Sequence, residues 1–199
     1  MVTNLTRRTV SEAAFEAFCQ ANDLAFEKIA EGTKPTPDYV LRLREAIYVE
    51  IKQIDEDTNF SAAHGTRLPG SHIRAKINQA RDQIRSIAQS GSPTMLLIYN
   101  NLDPLQAFGT EQHDFFAGMY GDLTWYPAAA DVPHAGIFHG RNKSFREGKN
   151  DSFSAVGWLH RGQAGFGIHL YENAHARVPL DFASLPACIQ FNRVQVEDA

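Results

Sequence analysis

The chain has 199 residues, of which 43% are hydrophobic and 21% are charged, and its net charge at pH 7 is −4. This composition is ordinary for a globular protein, and the length suffices for one domain with a sizeable core. The acidic balance argues against a protein that coats nucleic acid through bulk electrostatics, but it is compatible with an enzyme that has a local basic patch.

No segment of the sequence resembles a membrane span or a secretory signal. The longest apolar runs, near "MLLIY", fall far short of a transmembrane helix, and the first residues "MVTNLTRRTVSEAAF" lack the apolar region of a signal peptide. Cys19 and Cys188 are far apart and show no CxxC spacing, which predicts neither a zinc site nor a disulfide framework. We therefore expect a cytoplasmic protein without membrane contact.

The first hundred residues predict a helix, three strands, a second helix and a buried strand, in that order. Ser11 can cap the first helix, which runs to about residue 21. The second helix begins at Ser71 and ends before Gly91, and its apolar residues recur at the spacing of one helix face. These apolar residues are Ile73, Ile77, Ala80, Ile84 and Ile87. The predicted strands cover residues 24–30, 38–43, 46–54 and 94–99.

After residue 100 the sequence predicts a short helix followed by several short strands. The helix is "EQHDFFAGMYG", and the strands lie in "AGIFHG", "SFSAVGWLHR", "GFGIHLYENAHA" and "CIQFNRVQ". We therefore predict one α/β domain over residues 1–199, with a central mixed β-sheet flanked by helices and with additional C-terminal strands.

The strand over residues 46–54 places Glu50 and Lys52 on one face, because alternate residues of a strand share a face. Asp38 begins the preceding strand, and an antiparallel hairpin brings its carboxylate beside Glu50. Two adjacent carboxylates repel each other unless a cation lies between them or solvent surrounds them. Mg²⁺ prefers such oxygen ligands, and a nearby lysine ammonium can position water or stabilise charge on a phosphate. The pattern therefore favours metal-assisted phosphodiester hydrolysis.

Pro37 and Asp38, followed by "EIK" from Glu50 to Lys52, resemble the signature of the PD-(D/E)XK nuclease superfamily. The resemblance covers about residues 11–100 and implies a restriction-endonuclease-like core, with residues 101–199 as a strand-rich extension. It implies that Asp38 and Glu50 bind Mg²⁺, with Mn²⁺ as a possible substitute, and that the backbone carbonyl of Ile51 is a further ligand. Lys52 would then position the attacking water.

The same resemblance implies two more site residues, one on each helix of the core. A glutamate of the first helix is expected to complete the metal site. Glu16 is the best candidate, and Glu12 one turn earlier is the alternative. A glutamine is expected on the second helix, where Gln83 is slightly favoured over Gln79. The implied substrate is DNA rather than RNA, and a homodimer would bring two sites to two strands.

Two basic segments are candidates for phosphate contacts. Arg74 and Arg81 lie on the second helix, and Arg141 and Lys143 lie in "GRNKSFREGK". The alternative interpretation is a solvated helix face and a charged loop.

Other hypotheses remain open at the level of sequence. Glu50 and Lys52 can form the solvated face of an edge hairpin. The chain can also keep the nuclease fold without the reaction, as a nucleic-acid-binding or protein-interaction module. A third hypothesis is an enzyme that acts on a small phosphorylated or carboxylated metabolite in a pocket of the C-terminal strands.

Overall fold

The structure is a computed structural model that describes residues 8–30, 32–57, 67–106, 108–126 and 136–194. Within these ranges the helices are α1 (Val10–Ala21), α2 (Ser71–Gln89) and α3 (Gln112–Tyr120), with a 3₁₀ turn at Phe182–Ser184. The strands are β1 (Ala25–Lys28), β2 (Tyr39–Arg42), β3 (Ala46–Ile54), β4 (Thr94–Asn100), β5 (Leu123–Tyr126), β6 (Gly136–His139), β7 (Ala155–Gly162), β8 (Gly165–Glu172) and β9 (Ile189–Asn192).

Seven of these strands form one mixed sheet in the order β1-β2-β3-β4-β7-β8-β9. The three central strands β3, β4 and β7 are parallel, as are β8 and β9, and the remaining pairs in this sheet are antiparallel. Strands β5 and β6 form a separate antiparallel pair. The predicted α/β class, with a central mixed sheet, flanking helices and additional C-terminal strands, is confirmed, and both halves of the chain contribute to the same sheet.

Two hydrophobic cores cover the opposite faces of this sheet. One contains Phe15 and Phe18 of α1 with Ile47, Val49 and Ile51 of β3. The other contains the apolar stripe of α2 together with Phe115 of α3. Because side chains alternate along β3, the face that carries Glu50 and Lys52 is turned toward α2. The crossover through α2 therefore covers the polar face of β3.

The helix caps differ in detail from the predictions. Thr9, not Ser11, caps α1: its side chain accepts from the Glu12 N–H, while the Glu12 side chain accepts from the Thr9 N–H. This reciprocal capping box satisfies two free donors at once. Ser11 lies in the first turn, is buried, and donates its N–H to Gln53 Oε1 at 2.8 Å.

The apolar stripe of α2 also ends differently. Ile87 is half-buried, and Ala88 completes the buried stripe in its place. The 3.6-residue period of the helix keeps the position four residues after Ile84 on the buried face. Gly91 ends the helix as predicted, with a positive φ of 86°.

Within the described ranges, no helix combines the length and the apolar character that crossing a membrane requires.

Candidate active site

Asp38 directly precedes β2, one residue before the strand begins, at the point where β3 continues beyond its partner. β2 has four residues and pairs with positions 46–49 of β3, which has nine residues. The Asp38 N–H donates to the Val49 carbonyl at 3.0 Å, and its Oδ2 accepts from the Ile51 N–H at 2.7 Å. The carboxylate therefore satisfies a donor on β3 that β2 no longer reaches, which fixes its position at this edge.

The Ile51 carbonyl is directed toward the same edge of β3 as Asp38. In an extended strand, the N–H and the C=O of one residue point to the same neighbour. Since the Ile51 N–H is bonded to Asp38, its carbonyl oxygen also lies on the β2 side, past the end of β2. This placement is compatible with the ligand role that the resemblance implies for Ile51.

Glu50 is the most buried acid of this group, with an exposed fraction of 1%. Its Oε1 forms an ion pair with Lys52 Nζ at 2.5 Å, whereas Oε2 has no hydrogen-bond partner among the described residues. Burial and the nearby Asp38 carboxylate raise the pKa of Glu50 to about 7, against the lowering effect of Lys52. Burial to this degree excludes a solvated hairpin face for this side chain.

Lys52 bridges the polar face of β3 and the helix above it. Its side chain is 22% exposed and is bonded to Glu50. With the amide oxygen of Gln83 turned toward β3, Gln83 accepts from Lys52 Nζ at 3.1 Å and donates to the Gln79 carbonyl at 2.8 Å. The structure therefore brings Gln83 to the site, while the Gln79 backbone orients the Gln83 amide.

Glu12 is the carboxylate of α1 that influences Asp38. Burial raises the pKa of Asp38, the Ile51 N–H and Lys52 lower it, and Glu12 raises it further. Glu12 also accepts a hydrogen bond from Lys28 Nζ at 2.6 Å. The capping box holds Glu12 in the first turn of α1.

Glu16 lies one turn further along α1 and is occupied by other partners. Its Oε1 accepts from the Tyr39 hydroxyl at 2.7 Å, and its Oε2 forms an ion pair with Arg8 at 3.0 Å. Both acids of α1 therefore have protein partners, since Glu12 is bonded to Lys28 and Thr9. Of the two, Glu12, the alternative from the sequence, is the acid whose charge raises the pKa of Asp38.

A polar concavity of about 400 Å³ lies beside the site, between the end of β3 and the N-terminal half of α2. Gln53 and Asp55 contribute to one wall, and Lys76 and Gln79 contribute to the other. Burial lowers the pKa of Lys76 and the Lys52 ammonium lowers it further, whereas Asp55 raises it. The Lys76 ammonium therefore lies near enough to Lys52 for the two positive charges to interact.

Sequence reasoning gave Lys76 no role in the site. The available signal was helical spacing, since Lys76 precedes Gln83 by seven residues and therefore shares its flank of α2.

The four basic residues predicted to contact nucleic acid have different environments. Arg74 is mostly buried and donates to the Ala117 and Pro69 carbonyls and to Asp122. It therefore joins α2 to the segment just before it, to α3 and to the segment that follows α3. Those contacts explain Arg74 without a phosphate. Arg81 is half-exposed, and Arg141 and Lys143 are exposed in a turn.

A further group of possible metal ligands lies at the start of α3. Glu111, His113 and Asp114 each offer a ligand atom within 4.8 Å of the others. The Asp114 oxygens already accept from Arg67, the Gly70 N–H and the Glu111 N–H. The cluster therefore serves as a capping box closed by an arginine, and it lies apart from the acids of β2 and β3.

The chain was compared with protein-family models, with curated proteins and with solved structures, and none of them matches.

Proposed function

We propose that this chain is a Mg²⁺-dependent nuclease that hydrolyses phosphodiester bonds in DNA, with Mn²⁺ as a possible substitute. The observation that carries the proposal is the buried Glu50 carboxylate, which has one oxygen paired with Lys52 and the other without a partner among the described residues. Asp38 lies beside it and adds a second negative charge. A divalent cation bound by both acids removes their repulsion and supplies the missing partner.

Each residue of the site has a role in this reaction. Asp38, Glu50 and the Ile51 carbonyl would bind the metal, which acts as a Lewis acid toward the phosphate. Lys52 would hold the attacking water and stabilise the charge that develops on the phosphoryl oxygens. Gln83 would fix the Lys52 ammonium. Glu12, rather than Glu16, would complete the metal site through a water molecule.

The order of elements supports this assignment. A helix, an antiparallel group of three strands, a crossover helix and a parallel strand follow one another from α1 to β4. This is the order that the restriction-endonuclease-like resemblance requires, with Asp38 directly before the second strand and Glu50 on the third. The choice of DNA as substrate and of a homodimer as the acting form rests on that resemblance.

The substitution Lys52→Ala tests the mechanism, with cleavage of labelled single- and double-stranded DNA in Mg²⁺ as the measurement. We expect the cleavage rate to fall by at least about 100-fold, because the variant can neither position the water nor stabilise the charge on the phosphate. The matched control is Lys34→Ala, at an exposed lysine before β2, which should cleave like the parent chain.

A second variant separates chemistry from folding. Removing Lys52 leaves the buried Glu50 carboxylate without its ammonium partner, which favours protonation of Glu50 and can lower stability. Lys52→Gln keeps a hydrogen-bond donor for Glu50 and should also be inactive while its melting temperature stays near that of the parent. Full cleavage by either folded variant would refute the assigned role of Lys52.

A further inference from the structure

A second concavity, of about 290 Å³, lies between the C-terminal half of α2 and the segment before β7. Four cationic side chains line it. They are Arg81 and Arg85 from α2, Lys149 from the turn before β7, and Arg177 from the segment after β8. Elements distant in sequence thus bring positive charge to one place.

Few carboxylates offset these four cations. Asp151 lies in the concavity and is bonded to Arg177 at 2.9 Å, and Asp82 lies 3.4 Å from Arg85 and 3.7 Å from Arg81. The group therefore carries a net charge of +2 in a chain whose net charge is −4. The half charge at the C-terminal end of α2 is too small to neutralise this excess.

The two arginines of α2 remain available to a ligand. The side chains of Arg81 and Arg85 are 45% and 50% exposed, whereas Arg177 is 47% exposed but donates from both Nε and Nη2 to Asp151. The contacts with Asp82 are exposed and at the long end of ion-pair distances, so they contribute little. Guanidinium groups in this state can bind phosphate oxygens through paired N–H donors.

The walls of the concavity are held in place without a ligand. Lys149 and Arg146 exchange backbone hydrogen bonds across a tight turn, and the flanking Phe145 and Phe153 are fully buried. The Arg177 N–H donates to the Asp151 carbonyl at 2.7 Å. Binding would therefore require little ordering of the backbone, which reduces its entropic cost.

The concavity is separate from the candidate active site. Gln83 faces Lys52, whereas Arg81 and Arg85 each lie two residues away from it, which turns them about 200° around the helix axis. The α2 helix, about 10–12 Å across, therefore stands between this concavity and Lys52. A phosphate bound here is not the one that the metal site would cleave.

We infer that this concavity binds phosphate groups, as presented by a nucleic-acid backbone or by a free phosphorylated compound. The assignment uses charge, exposure and shape of residues outside the metal site. It holds whether or not the metal site cleaves DNA.

The test is the binding of fluorescein-labelled single- and double-stranded 20-mers in EDTA, so that no metal and no cleavage are involved. The double variant Arg85→Glu, Lys149→Glu should bind at least about 10-fold more weakly than the parent. The slope of its log K against log salt should become shallower, by the amount that corresponds to the loss of about two phosphate contacts. Lys34→Glu, the same reversal at an exposed site elsewhere, should change binding by less than about twofold.

Two further arms identify the source of the phosphate and guard against misfolding. Inorganic phosphate should raise the melting temperature of the parent chain and not that of the double variant. If phosphate does so while DNA binding is unaffected by the reversal, the site takes free phosphorylated compounds. The double variant Arg85→Gln, Lys149→Gln should show smaller losses of DNA binding and of stabilisation by phosphate. Its melting temperature in buffer alone should equal that of the parent.

DNA binding and phosphate stabilisation that are both identical in the parent and in the folded variants would overturn the inference. That result would leave the nuclease proposal standing, because its test depends on Lys52 and metal. Conversely, an inactive metal site would leave the binding result in EDTA unchanged.

Discussion

Glu50 is a buried carboxylate whose charge is only partly compensated. Its pKa is about 7, so its carboxyl group takes up a proton on folding near neutral pH. A group whose pKa is raised by folding stabilises the protein below its unfolded pKa, and that contribution is lost as the pH rises through the folded pKa. In the metal-free protein, Glu50 therefore opposes folding above about pH 7, by about 3 kcal/mol relative to pH 4.

The variant Glu50→Gln tests this cost. In EDTA, the free energy of unfolding of the parent should fall relative to that of Glu50→Gln as the pH rises from about 4.5 to 7. Above pH 7 the variant should be more stable by up to about 3 kcal/mol, because its amide carries no charge and still accepts from Lys52. Urea unfolding at several pH values measures the difference.

The control for this prediction is Glu27→Gln, the same substitution at a mostly exposed residue of β1. It should follow the pH dependence of the parent chain. A constant difference in stability between Glu50→Gln and the parent from pH 4.5 to pH 8 would contradict the burial of a titrating carboxylate at this position.

Arg74 is a basic residue whose role is explained by its hydrogen bonds to neighbouring segments of the chain and not by a ligand. Its guanidinium connects α2 to the backbone at Ala117 and Pro69 and to Asp122. Arg74→Ala should lower the free energy of unfolding by about 2 kcal/mol, since it removes three hydrogen bonds, all made by a charged donor. DNA binding per folded molecule should not change.

Denaturant unfolding and anisotropy on the same sample measure both quantities, with Arg81→Ala as the comparison on the same helix. Arg81 is half-exposed, so its loss should affect stability by less than about 0.5 kcal/mol. Loss of DNA binding without loss of stability in Arg74→Ala would show that its role is a phosphate contact.

The elements whose apolar residues recur at a regular spacing were predictable from the sequence. The burial of the polar face of β3 beneath α2 was not. Alternation in "AIYVEIKQI" gives the bounds of β3, and the apolar stripe gives those of α2. The same alternation normally assigns the polar face to solvent. Here α2 connects the parallel strands β3 and β4 and returns across that face, which buries Glu50 to 99%. Burial of this kind depends on tertiary packing, which no local pattern contains.

The candidate site was predictable in part for the same reason. The sequence pattern predicted Asp38 close to the strand of Glu50 and Lys52. In the structure Asp38 directly precedes β2, which pairs with β3, and Gln83 contacts Lys52. Helical position alone could not separate Glu12 from Glu16, because both face the sheet. Their surroundings separate them: Glu12 raises the pKa of Asp38, whereas Glu16 accepts from the Tyr39 hydroxyl, and both effects follow from how α1 packs on the sheet.

At the scale of the whole molecule, metal binding should appear as stability. A ligand that binds only the folded chain adds about 2.7 kcal/mol at 100 times its dissociation constant, which corresponds to about 5–10 °C for a chain of this size. Mg²⁺ and Mn²⁺ should therefore raise the melting temperature. The shift should grow between pH 6 and pH 8, because protons compete with the metal for Glu50.

Thermal unfolding at fixed ionic strength measures this shift, with Glu50→Gln as the variant that should lose it and Glu27→Gln as the variant that should retain it. Equal shifts in both variants would place the metal elsewhere, for example at Glu111, His113 and Asp114.

The most direct test of the metal site is the anomalous diffraction of crystals soaked in Mn²⁺. We predict one strong peak at oxygen-ligand distance, about 2.0–2.3 Å, from Asp38, Glu50 and the Ile51 carbonyl, with the Lys52 ammonium beside it. A peak only at the N-terminus of α3, or none at Glu50 at saturating Mn²⁺ and pH 8, would contradict the proposed metal centre and the nuclease mechanism built on it.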